Sequence, residues 1–163
     1  ATTEIYTLTL HDALPICHLL TACTFVALLA VVEPSVTWAA PTTISVELSD
    51  PSTAAGIDGM QMKSDHATVQ AGLVRFHVVN KSRSVVHEMI VVALTSPGET
   101  LPYNPNAGRV VEKKIHHLGE VSDLPPGKSG NLQLTLKPGA YILICNQPGH
   151  YEAGMKTPLT VTP

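Results

Sequence analysis

Near its C-terminal end the sequence reads CNQPGHYEAGM over residues 145–155. A thiol at Cys145, an imidazole at His150 and a thioether at Met155 therefore share one stretch with the spacing C-x4-H-x4-M. Pro148, Gly149 and Gly154 supply the tight turns that let three side chains aim at one centre. Thiolate and thioether are soft donors that suit Cu(I), and imidazole suits both oxidation states of copper. A fourth donor must come from elsewhere, and His87, set inside the otherwise apolar run 85–94, is the candidate. Two histidines and a cysteine in a plane, with a weak axial methionine, make the donor set of blue-copper electron-transfer sites.

Blander roles compete for each residue. A lone cysteine at a strand end is ordinarily a small buried apolar group, and a lone strand histidine a hydrogen-bonded core residue. His150 and Met155, following at this spacing, argue against that role for Cys145. His66, His77, His116 and His117 read as surface or strand-face residues. Met60 and Met62 lie in a Gly/Asp/Ser-rich stretch and read as loop packing, with a second soft copper contact as the alternative.

The donors need elements to hold them. Residues 43–48 alternate polar and apolar with period two, as do 74–78 and 131–136, which marks half-buried strands. Residues 85–94 and 140–144 are more continuously apolar strands, 119–121 a short one, and 158–162 a last one. Residues 49–65 and 96–109 are loop by composition, and a helical turn is expected only within 104–116. Seven or eight strands with closely spaced turns predict an all-β, Greek-key antiparallel sandwich.

The first 39 residues do not belong to that pattern. Residues 1–16 match the in-frame translation of a common short-read sequencing adapter, departing from it at Thr9, and are set aside as foreign sequence. Residues 17–39 read as a truncated signal peptide: 19–32 carry no charge, too short a run to span a membrane comfortably, and small residues precede a cleavage point after Ala39. Cleavage there leaves one domain, 40–163, in a periplasmic or extracellular compartment. It removes Glu4, Asp12 and Glu33 but no base, so ten acids face ten bases and the net charge is zero. Cys17 and Cys23 also go, and an exported chain with one cysteine has no internal partner for it. No basic excess invites nucleic acid, and the mature form carries no stable membrane span.

With its late Cys, His and Met and one earlier His, the chain resembles the cupredoxin family, which includes plastocyanins, azurins and auracyanins. The resemblance covers nearly all of 42–163, and the loop length is of the azurin and auracyanin type. It implies one copper ion held by His87, Cys145 and His150, with Met155 axial. It also implies a one-electron carrier, monomeric, meeting redox proteins near His150. Many members have Asn after the first histidine; here Glu88 stands there, and only its backbone N–H remains to reach the Cys145 sulfur. Copper storage or delivery through the same ligands is the alternative function. An enzyme is not expected: residues 40–163 contain no His-x-His pair for further copper and no second cysteine for a two-copper entry site. Cys145 also lacks a helix N-terminus to activate it as a nucleophile.

Overall fold

The computed structural model describes residues 40–51 and 59–163; the adapter-like stretch 1–16 and the apolar run within 17–39 lie outside them. Eleven strands are described: β1 Thr42–Ser49, β2 Gln61–Ser64, β3 Thr68–Gln70, β4 Gly72–Asn80, β5 His87–Leu94, β6 Tyr103–Asn104, β7 Arg109–Val110, β8 His116–Leu124, β9 Ser129–Leu136, β10 Gly139–Ile144 and β11 Lys156–Thr162. They form one sheet in the order β2-β1-β4-β9, a second in the order β3-β11-β10-β5-β8, and the small β6-β7 ribbon. This is the expected sandwich. Two pairings within it are parallel, β1 with β4 and β3 with β11, so both sheets are mixed. Among the described residues no helix is long and apolar enough to cross a membrane.

The period-two rule explains both the continuous and the alternating strands. β1 and β4 bury Ile44, Val46, Leu48, Val74, Phe76 and Val78 and expose the residues between them, so each shows one face to solvent. β5 is buried on both faces. Met89 and Val91 enter the main core between the sheets, whereas Ile90 and Val92 enter a second cluster with Leu101, Val110, Ile144 and Tyr151. β10 behaves alike, with Tyr141, Leu143 and then Cys145 in the main core and Ile144 in the second. Strands buried on both faces read as unbroken apolar runs. The second cluster exists because residues 101–115, which begin in the stretch that reads as loop, pack their apolar side chains against the outer face of this sheet.

β8 is longer than its composition suggests. It is an edge strand, and its register against β5 shifts twice, between His87 and Met89 and between Val91 and Val92. Such bulges break the alternation by which a strand is read from sequence. The helical turn expected within 104–116 is a single 3-10 turn at Glu112–Lys114. The stretch 49–65, which reads as loop, ends in β2: Met62 is buried in the main core from that strand, paired with Leu48, and Met60 packs against the same core.

Candidate metal centre

His87 opens β5, and the loop before it is tied down from inside. Asn80, fully buried, donates from Nδ2 to the carbonyls of Val85 (2.9 Å) and Leu124 (2.8 Å), and its Oδ1 accepts from Ser82 N–H (2.9 Å). Ser82 Oγ in turn accepts the N–H of Val85 (2.8 Å). The histidine therefore enters the sheet from a fixed direction.

Cys145 follows directly on β10, and the stretch to Met155 closes on itself. Cys145 N–H donates to the Met155 carbonyl (3.0 Å), Met155 N–H to that of His150 (3.0 Å), and His150 N–H to that of Gln147 (3.0 Å). A second anchor was not legible from composition. The Asn146 amide accepts from Val110 N–H (2.6 Å) and donates to the Val110 carbonyl (3.1 Å) and to Glu112 Oε1 (2.8 Å). Arg109 Nη1 donates to the Asn146 carbonyl (2.7 Å), and Gly149 N–H to that of Gly108 (2.8 Å). Residues 108–112, at the end of the 96–109 loop and within the stretch expected to hold a helical turn, thus clamp the segment that carries Cys145 and His150.

These supports bring three of the four candidate side chains to one point. His87 Nδ1 and His150 Nδ1 stand 3.1 Å apart, and Cys145 Sγ stands 3.3 Å from His150 Nδ1. One donor atom from each residue lies within 4.8 Å of the others, and all three residues are buried. His87 has no exposed surface, whereas His150 keeps 8% of its own, so the centre meets solvent on the His150 side. Met155, the fourth candidate, is fully buried in the same apolar cluster as Cys145. The Glu88 N–H reaches Cys145 Sγ at 3.4 Å, the contact left open to it by the departure from asparagine.

Burial sets the electrostatics. It pushes the Cys145 thiol from its ordinary 9.0 up to about 11, only partly offset by the Glu88 and Gln147 N–H groups. Burial likewise lowers both imidazoles, which favours their neutral, metal-ligating form; Asp50 opposes this at His87, and at His150 the neighbouring His87 adds to it. The Glu88 carboxyl is raised by burial, with Arg109 Nη1 4.0 Å from its Oε1 opposing. Sequence reading missed Asp50 altogether. Its Oδ2 lies 3.1 Å from His87 Nε2, a contact spanning 37 positions of chain that no local pattern announces. His66, His77, His116 and His117 stand away from this group, as surface or strand-face residues.

Two imidazole nitrogens and a sulfur in a water-poor pocket fit a soft or borderline first-row ion, for which N and S bonds run near 2.0–2.3 Å (roughly, as for zinc) and leave donors about 3–4 Å apart. Comparison with known proteins agrees. Auracyanin A, a "blue" copper protein from Chloroflexus aurantiacus, superposes with a TM-score of 0.53 at 26% identity, over 76% of this chain and 100% of that one. The chain therefore has the β-sandwich fold of the cupredoxins. Reduced auracyanin from Roseiflexus castenholzii gives a TM-score of 0.52 at 24% identity, over 76% of this chain and 99% of that one. Rusticyanin from Thiobacillus ferrooxidans, at 19% identity, shares the fold with a TM-score of 0.55, over 76% of this chain and 79% of that one. In sequence, auracyanin-B of Chloroflexus aurantiacus is 56% identical over 41 residues, which span 24% of this chain and 17% of that protein's length. No family model matches the chain.

Proposed function

We propose that this cupredoxin is an exported blue-copper protein that carries one electron between redox partners. His87, Cys145 and His150 would hold the metal, and Met155 would be a fourth, weaker ligand. The observation that carries the reading is the convergence of one ring nitrogen from each of His87 and His150 with the Cys145 Sγ, all within 4.8 Å of one another, among buried residues. Copper, when bound, supplies the one-electron couple; the chain supplies everything else. Cys145 would ligate as a thiolate, its proton passing to solvent, and the Glu88 N–H would donate to the sulfur. The clamped loop resists rearrangement between oxidation states, and the apolar wall excludes the water that would have to reorient with each transfer. His150, the ligand with exposed surface, is the exit toward partners. A mature chain of zero net charge suits brief apolar docking rather than strong electrostatic steering. No further cluster of three His, Cys, Asp or Glu donors is found among the described residues, and the reading assigns no enzymatic step.

Copper titration into the purified 40–163 chain tests this. One equivalent should bring up the intense visible absorption of a copper–thiolate bond, and the oxidised and reduced forms should interconvert without metal loss. Rapid transfer of Cu(I) to a competing metal-free protein, with slow electron self-exchange, would turn the assignment to delivery. Export predicts that the full gene's product, recovered outside the cytoplasm, begins at Ala40.

A further inference from the structure

His87 has two ring nitrogens, and each meets a different neighbour. Nδ1 faces the centre, 3.1 Å from His150 Nδ1; Nε2 faces away, 3.1 Å from Asp50 Oδ2. The Asp50 side chain is 2% exposed and that of His87 not at all, so water does not screen the pair. An ionised carboxylate can only accept, which places the shared proton on Nε2. A neutral imidazole carries a single proton, so Nδ1 is left with its lone pair aimed at Cys145 and His150.

The backbone holds Asp50 there. It directly follows β1, whose parallel pairing with β4 sets Leu48 beside Asn80, the residue that fixes the loop before His87. Lys81 N–H closes the corner on the Leu48 carbonyl at 2.8 Å. Carboxylate and imidazole thus hang from two strands joined at the same corner.

Resting on the reading that this centre holds copper, we propose that Asp50 is a positioning residue with a second, electrostatic role. Its carboxylate fixes the tautomer and ring orientation of His87, and its buried negative charge favours the cupric over the cuprous ion. With the Cys145 thiolate, Asp50 supplies two negative charges, which balance a doubly charged ion and leave an excess over a singly charged one. In a poorly solvated pocket that excess is costly. Glu88 brings a further buried carboxyl near the site, but Arg109 opposes it from 4.0 Å.

Two variants separate the two roles. Asp50→Asn keeps an acceptor of the same shape and removes the charge; Asp50→Ala removes both. In the metal-free protein, NMR of the His87 ring nitrogens should show the Nε2–H tautomer in the parent and in Asp50→Asn, and a mixture in Asp50→Ala. In the copper-loaded protein, Asp50→Ala should bind Cu(II) about 10–100-fold more weakly. Asp50→Asn should lose about tenfold in its preference for Cu(II) over Cu(I), read as a reduction potential about 59 mV higher. An unchanged tautomer in Asp50→Ala, or an unchanged potential in Asp50→Asn, overturns the proposal. If the parent takes up no copper, the proposed function fails while the ring-nitrogen measurement still decides what Asp50 does to His87. If Asp50→Ala does not fold by far-UV circular dichroism, the potential of Asp50→Asn decides alone.

Discussion

At Cys145 the protein keeps a thiol that water does not reach, and this has consequences on both sides of metal binding. The folded chain holds the proton up to about pH 11, while an unfolded chain releases it near pH 9.0. Between those values the folded state binds more protons, so stability must fall as pH rises. At about 1.4 kcal/mol per pH unit the loss by pH 11 is on the order of 2–3 kcal/mol. Chemical denaturation of metal-free protein from about pH 8 to about pH 11 should show this slope, and Cys145→Ala should remove it. The same proton must leave when metal binds, so copper uptake in weak buffer near neutral pH should release about one proton per ion. Cys145→Ser should abolish the intense visible colour and leave the sandwich folded. With Met155 as the proposed fourth ligand, Met155→Leu should keep the colour and raise the reduction potential, because loss of a thioether donor favours Cu(I); voltammetry of the two proteins reads this directly.

Between elements, the donor loop and the 108–112 segment hold one another. Asn146 acts as an extra strand residue, with its side-chain amide satisfying both the N–H and the carbonyl of buried Val110. Asn146→Ala would leave those two groups without partners, a cost of about 2–3 kcal/mol, to be read as a lower denaturation midpoint. Gly108 makes the second contact. Its φ of +64° lies in the left-handed region, and a Cβ there would stand 2.9 Å from the backbone nitrogen of Gly149. Gly108→Ala should therefore cost about 1–2 kcal/mol for the conformation alone. It should also displace Gly149 and the adjoining His150, which would appear as a shifted copper–thiolate band. A band unchanged in position would show that the loop does not depend on this contact.

The whole molecule does not depend on metal for its core. The main cluster joins both sheets through Phe76, Ile44, Leu48, Leu136, Leu143 and Leu159, all nearly or fully buried, and the donors occupy only one end of it. Copper should therefore add stability without creating the fold, unlike small domains that unfold when stripped. Chelation should leave the far-UV circular dichroism of the sandwich intact and lower Tm. By mass action the added stability is about 2.7 kcal/mol when free metal is one hundred times Kd, roughly, and it should rise with metal concentration. Loss of the β-sheet signal on chelation would contradict this.

The local chain determined a good deal by itself. Residue types and spacing over 145–155 placed a thiol, an imidazole and a thioether on one turn-rich loop, and such a loop confines its own side chains. Period-two burial marked β1, β4 and β9, and unbroken apolar runs marked β5 and β10, since a strand's faces are written in consecutive residues. Packing decided the rest. The two bulges hide most of β8, and Leu101 and Val110 become core only because the outer face of β5 and β10 is there to receive them. The parallel placement of β1 beside β4, the Asn146 clamp and the Asp50–His87 contact join residues tens of positions apart. Such a hydrogen bond is chosen by where two backbones end up, and no short stretch of sequence carries that information.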